Sequence, residues 1–216
     1  EGMVEKNMGN IFGVTLYIQG MLPMLPEKEA LATLNGLPEH LRNLAIVQEA
    51  VEACERKMRV TPQEGEPLPH YIDTVQPDVK GNDISLKSVI ENPKNRYVLL
   101  DFWASWCGPC RYENINIVKA YDTYKFSKFK GGNGFTVFGV SLDIKAQAWQ
   151  DAIKKDKLTW PNHVCDFGGW KSEIARQYNV NRIPTNFLVN GNGVILAKNL
   201  RGQALLDFLD NLAVKN

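Results

Sequence analysis

Val98-Leu99-Leu100-Asp101-Phe102-Trp103-Ala104-Ser105-Trp106-Cys107-Gly108-Pro109-Cys110-Arg111 is the stretch that decides the fold. With Tyr97, its first half is dense in β-branched, aliphatic and aromatic side chains and reads as a central strand over 97–103. Its second half opens a helix. Pro109 fits a first turn, where the missing N–H costs no hydrogen bond, and Ile117, Val118, Tyr121 and Tyr124 carry the helical spacing to about Phe126. Cys107 therefore stands at a helix N-terminus, where unpaired N–H groups and the positive end of the helix dipole stabilise a thiolate. It is expected to be the attacking sulfur. Cys110, almost one turn further and deeper in the helix, is placed to close a disulfide with it. The expected cycle is attack by Cys107 on a partner disulfide, then displacement of the mixed disulfide by Cys110. Gly108 keeps the entrance open.

Outward from this segment, strands and helices alternate. Phe135–Leu142 reads as a second buried strand, followed by helices over Ala146–Lys155 and Lys171–Tyr178. Thr185–Val189 and Val194–Ala197 form a hairpin about Asn190-Gly191-Asn192-Gly193, and Gln203–Val214 is a terminal helix. Upstream, Asp73–Val79 and Ile84–Leu86 read as a hairpin, with Pro77 confining its strand to an edge. The fold class is α/β, a central mixed sheet covered by helices on both faces. Thr61–Pro69 holds three prolines and a glycine in nine residues and marks a boundary. It divides a mainly helical segment, residues 1–69, from a redox domain, residues 70–216. In the first, Ile11–Ile18 reads as a short strand or the end of a longer helix. A helix opens at Pro26, helped by Glu27 and Glu29, and ends at Gly36. Another follows Pro38 to about Met58, with Leu41, Leu44, Val47, Val51 and Cys54 on one apolar stripe.

Composition narrows the function classes. Hydrophobic residues are 44% of the 216 and charged residues 23%, the balance of a folded globule. Twenty-five Lys and Arg oppose 24 Asp and Glu, net +1, with no long block of either sign. This points to neither a nucleic-acid surface nor a membrane-binding face, and apolar runs such as Val98–Ala104 fall far short of the roughly 20 residues of a membrane helix. Glu1–Lys6 lacks the basic start and apolar run of a signal peptide, which says nothing about export in a chain that begins Glu-Gly. Four cysteines are too few for a disulfide scaffold. A zinc site would need a second Cys/His cluster, and only Cys54, Cys165, His40, His70 and His163 remain to build one. Cofactor and metal are both expected to be absent. Cys54 reads as a buried, inert thiol. Cys165 reads as buried and unpaired, with electron exchange with the Cys107 pair or a bond to Cys54 as alternatives.

Val98–Arg111 resembles the active-site segment of the thioredoxin superfamily. The whole organisation resembles the TlpA/ResA-like branch, often labelled AhpC/TSA, of bacterial envelopes. The resemblance covers about Thr74 to Val214, roughly two thirds of the chain. It implies a thioredoxin-like fold with a central helical insertion (Ala146–Lys155 and Thr159–Trp170), in which Trp160, Phe167 and Trp170 either line the partner groove or fill the core. It implies that Asp101 transfers a proton to and from Cys110, burial raising its pKa, and that Pro184 is a cis-proline facing the disulfide. Trp106, Gly108, Pro109, Ile183 and Thr185 would then contact the substrate, with Arg111 solvated and Glu113 tying down a loop or tuning the local field. Ile115 departs from the pattern, standing where thioredoxins carry a helix-kinking proline. A peroxide-reducing relative would carry Thr or Ser at Ala104. The remaining alternative is a thioredoxin-fold binding module without turnover, against which both sulfurs, Asp101 and Pro184 argue.

From the same resemblance follow a protein disulfide reductase, disulfide-containing protein substrates, an upstream membrane thiol reductant, and cytochrome c maturation or thiol repair as the setting. A periplasmic or cell-envelope location is expected, with a lipid anchor in the full-length protein. The N-terminal helices resemble the segment preceding the redox domain in Bacteroidetes-type envelope proteins, a spacer or dimerisation element that would make a homodimer.

Overall fold

In the computed structural model, which describes residues 8–60, 62–71 and 73–214, the chain divides into two units, Glu1–Thr61 and Pro62–Asn216. Glu1–Lys6, the stretch without a leader's pattern, lies outside the described residues.

In the first unit the segment that reads as strand or helix is helix. α1 (Ile11–Leu16) is capped by Asn10, whose side chain accepts the Gly13 N–H at 3.1 Å. α2 (Glu27–Asn35) ends at Gly36. The single helix expected after Pro38 is two, α3 (Glu39–Arg42) and α4 (Ala45–Val60). At the break the Asn43 amide donates to Glu39 O and the Leu44 amide to Leu41 O, both at 3.1 Å, a tightened last turn. Asn competes with the helix for backbone groups and favours such an end. The apolar stripe survives it, since Leu41, Val47 and Ala50 are buried in one cluster with Val14, Tyr17 and Leu34.

The second unit opens with the proline-rich stretch tied down, Gly65 N–H donating to Ile195 O at 2.8 Å and Leu68 N–H to Gly193 O at 2.7 Å. β1 (Val75–Pro77) and β2 (Asp83–Ser85) form a separate antiparallel hairpin, as expected of a strand holding Pro77. α5 (Leu86–Ile90) follows. β3 (Tyr97–Trp103) feeds α6 (Gly108–Tyr124), and a small hairpin of β4 (Lys128–Phe129) and β5 (Gly132–Asn133) leads to β6 (Phe135–Ser141). Then come α7 (Ala146–Lys155), β7 (Asn162–Val164), α8 (Glu173–Gln177), β8 (Thr185–Asn190), β9 (Ile195–Lys198) and α9 (Gln203–Leu212). α8 is shorter than the expected Lys171–Tyr178 because Gly169–Lys171 forms a 3-10 turn before it.

The main sheet has the order β7-β6-β3-β8-β9. β3 runs parallel to β6, and β6 to β7, whereas β8 is antiparallel to both β3 and β9. This is the mixed, helix-flanked sheet of a thioredoxin-like fold. Every residue of β3 and β6 is buried, which is why both read as continuous apolar runs without alternation. The insertion adds an edge strand as well as a helix: α7 is the crossover that parallel pairing of β6 with β7 requires.

Candidate active site

β3 delivers the chain to the sheet's carboxyl edge, where four residues lead into α6. Cys107 is the N-cap of that helix, extended at φ −85° and ψ 100°, and its Sγ accepts the Cys110 N–H at 3.2 Å. The two cysteines form a disulfide, with Cα atoms 5.2 Å apart. Cys107 keeps 6% of its surface exposed and Cys110 1%, while Trp106 beside them is 54% exposed. Gly108 and Pro109 are exposed as well.

The turn before Cys107 is held from both sides. The Asp143 carboxylate, buried just past β6, accepts Ser105 N–H at 2.8 Å, Ser105 Oγ at 2.5 Å and Ser141 Oγ at 2.6 Å. Arg111 Nη1 donates to Ser105 O at 3.1 Å. Arg111, expected to stay solvated, keeps 24% of its side chain exposed while its Nε and Nη2 fork onto Asp156 at the end of α7, which also accepts from Asn114 Nδ2 at 2.8 Å. The Asp156 hydrogen bond raises the Arg111 pKa. Burial pushes Asp156 up, but hydrogen bonds from Arg111 and Asn114 outweigh it and hold the carboxyl below its usual range.

Asp101 is buried in β3, in register with Gly139 of β6 and Asn186 of β8. Desolvation pushes its pKa up to about 7, Arg201 opposing the rise and Glu113 adding to it. Its Oδ1 has no hydrogen-bond partner among the described residues. Glu113 is buried one turn after Cys110 on α6 and does tie down a loop, accepting Gly202 N–H at 2.7 Å on Oε1. The Ile183–Pro184 bond is cis. Ile183 is half-buried, and Thr185 is buried with its hydroxyl donating to Arg182 O at 2.8 Å.

The insertion's aromatics divide. Trp160 is core, stacked on His163 at 5.1 Å and edge-on to Tyr121 at 5.8 Å. Trp170 is exposed and sits 6.2 Å from the Trp106 ring, so it stands at the mouth of the site. Phe167 is exposed and packs on Trp149 at 5.7 Å. Cys165 is a free, buried thiol whose pKa desolvation pushes up to about 11, and it takes no part in the pair. Sequence reasoning missed Asp143, Asp156, Asn186 and Arg201. Only Asp143 left a signal, an acid just past a buried strand parallel to the cysteine strand.

The thioredoxin-like family matches residues 95–195, which span β3, both cysteines and β8. A thiol-disulfide oxidoreductase from Bacteroides fragilis is 37% identical, with 69% of this chain and 99% of that one superimposed at a TM-score of 0.56. A thiol:disulfide interchange protein from a Bacteroides species is 33% identical over 69% and 90%, again at 0.56. The chain belongs to the ResA/TlpA-like thiol-disulfide oxidoreductases. Within this family, sporulation thiol-disulfide oxidoreductase A of Bacillus subtilis is 35% identical over 117 residues, 54% of this chain and 64% of that protein, so just under two thirds of its length is matched. ResA of Bacillus thuringiensis is 28% identical over 161 residues, 74% and 80%. As a thiol-disulfide oxidoreductase the protein is an enzyme of thiol-disulfide exchange, and its redox-active group is the Cys107–Cys110 pair.

Proposed function

We propose that the enzyme reduces disulfides in other proteins, with Cys107 as nucleophile and Cys110 as resolving thiol. The observation that carries this reading is the asymmetry of the pair. Cys107 caps the helix, accepts a backbone N–H and keeps the greater exposure, the environment that lowers a thiol pKa and selects the attacking sulfur. In the reduced enzyme the Cys107 thiolate attacks one sulfur of the substrate disulfide, forming a Cys107–substrate bond and expelling the other substrate sulfur as thiolate. Asp101 takes the proton of Cys110. The Cys110 thiolate then attacks Cys107 Sγ, the mixed disulfide breaks, and the second substrate thiolate leaves. Two electrons pass to the substrate and the pair ends as the Cys107–Cys110 disulfide. Trp106, Gly108, Pro109, Ile183, cis-Pro184 and Thr185 form the surface against which the substrate's extended segment lies, and Arg111 and Glu113 hold the surrounding loops.

The reducing direction rests on the Gly108-Pro109 dipeptide, which the chain shares with thioredoxin, at about −270 mV, rather than with DsbA, at about −120 mV. A cell-envelope location, an upstream membrane thiol reductant that regenerates the dithiol, a lipid anchor, and a role in cytochrome c maturation or thiol repair extend the same reading. The N-terminal helical segment is a spacer or dimerisation element. In the decisive experiment, Cys110→Ala stalls at a mixed disulfide on Cys107, captured from envelope extracts and released by dithiothreitol. Cys107→Ala traps nothing and loses insulin reduction. Capture through Cys110 instead would reverse the roles, and a potential above about −150 mV would overturn the reductive direction.

A further inference from the structure

We propose that Arg201 is a positioning residue of the redox site: its guanidinium clamps the carbonyl of Pro184 and places a cation beside the buried Asp101, linking the substrate-facing loop to the proton acceptor of Cys110. The turn that carries it is fixed by two other elements. Asn186 on β8 grips Leu200 twice, Nδ2 donating to Leu200 O at 2.9 Å and Oδ1 accepting Leu200 N–H at 3.0 Å. Glu113 on α6 accepts the Gly202 N–H at 2.7 Å. Between these grips Arg201 sends Nη1 to its neighbour's carbonyl, Leu200 O, at 3.2 Å and Nη2 to Pro184 O. Asn186 is the in-register partner of Asp101, and Glu113 stands one turn beyond Cys110. The guanidinium thus sits where β3, β8 and the cysteine helix converge.

The charges around it explain its use. Burial works against the Arg201 cation, which Asp101 and Glu113 favour and Arg182 opposes. Asp101 faces Arg201 and Glu113, while the sheet row beside it continues through Gly139 to His163. Burial holds His163 neutral, pushing its pKa down to about 4. Burial and Glu113 both disfavour the Asp101 carboxylate, and Arg201 is the group that favours it. Without that charge Asp101 would stay protonated at neutral pH and could not take the proton of Cys110.

This inference rests on the proposed role of Asp101, so the test reads both. The pH profile of insulin reduction by the full chain is measured for wild type, R201Q, R201K, D101N and the D101N/R201Q double variant. Wild type shows an inflection near neutrality that D101N removes. R201Q moves it up by about one pH unit, the size of losing an opposite charge nearby, with about fivefold slower turnover at pH 7. R201K restores the inflection but raises KM for insulin, having lost the paired hydrogen bonds to the Pro184 and Leu200 carbonyls. A wild-type inflection in R201Q overturns the inference, as does the same rate loss from R201Q whether or not Asp101 is present. D101N that keeps the inflection overturns the Asp101 role itself, and Arg201's with it. R201K retains the charge, so its contrast with R201Q separates electrostatics from any loss of fold.

Discussion

A carboxyl group sunk into a strand between Leu100 and Phe102 would ordinarily be excluded from a core, and Asp101 is tolerated because it holds its proton over much of the working pH range. Its pKa of about 7 in the fold, against 3.8 as the ordinary value, sets the sign of a linkage. Below about pH 4 both folded and unfolded chains are protonated, and the folded state loses nothing. Between pH 4 and 7 only the folded state keeps the proton, so this group's contribution to stability falls as pH rises and levels off above 7, a total of about 4 kcal/mol. Asp101→Asn should therefore gain on wild type as pH rises from 4 to 7.5 in urea unfolding, while its turnover drops. A gap that does not change with pH would contradict the burial argument. Asp143 is buried too, and its side chain accepts three hydrogen bonds from Ser105 and Ser141. Asp143→Ala should cost about 3 kcal/mol in thermal or urea unfolding, the cost of leaving buried donors unsatisfied. It should also slow attack by Cys107 by loosening the turn before it.

Among elements, the start of α6 places the two sulfurs and the turn between β9 and α9 carries Arg201 to the Pro184 carbonyl. α6 runs unbroken through Ile115, an exposed position, so the departure from the thioredoxin proline leaves the helix continuous. The β9–α9 turn needs Gly202, at φ +53° and ψ −129°, a conformation that side-chain-bearing residues avoid. Gly202→Ala should destabilise the enzyme by about 1–3 kcal/mol. Since Gly202 donates to Glu113 and adjoins Arg201, it should lower activity more than its stability loss accounts for. Unchanged stability and turnover would show that the turn is soft. The hairpin after β8 is a partial match to expectation. Of its two Asn-Gly pairs, only Gly193 takes a left-handed φ, at +75°.

At the scale of the molecule, the site forms where two parallel strands end side by side. β3 and β6 finish in register at Trp103 and Ser141, and Leu142 N–H donates to Trp103 O at 2.9 Å. The cysteines follow one strand and Asp143 follows the other, the usual place for function in a sheet of this kind. Two buried titratable groups on the same row of the sheet act in opposition. His163, with its pKa pushed down to about 4, contributes stability present above about 6.5 and lost as pH falls through 4. Asp101 loses stability over nearly the same span as pH rises. The two spans, from about 4 to 6.5 for His163 and from 3.8 to about 7 for Asp101, largely coincide, so the two effects oppose each other. Wild-type stability should be nearly flat from pH 4.5 to 6.5, and Asp101→Asn should tilt it upward with pH. A steep wild-type slope in urea titrations would break the pairing.

The sequence by itself determined the α/β class, the strand Tyr97–Trp103, the helix beginning at the cysteines and the redox pair. These depend on local information: apolar density, turn chemistry and a spacing of three that puts one sulfur at a helix start. The helix break at Asn43 was not legible, because the apolar stripe continues across it. Nor was β7, since Asn162-His163-Val164 lacks strand density and pairs only because α7 returns the chain to the edge of β6. Only the tertiary structure decided that Arg111 is clamped to Asp156, that Trp160 is core while Trp170 meets Trp106, and that Arg201 joins the Pro184 carbonyl to the surroundings of Asp101. Each of these joins residues at least 17 apart in the chain or sorts side chains by burial. Such contacts leave no local trace, because they are selected by the packing of whole elements and not by the propensity of any one of them.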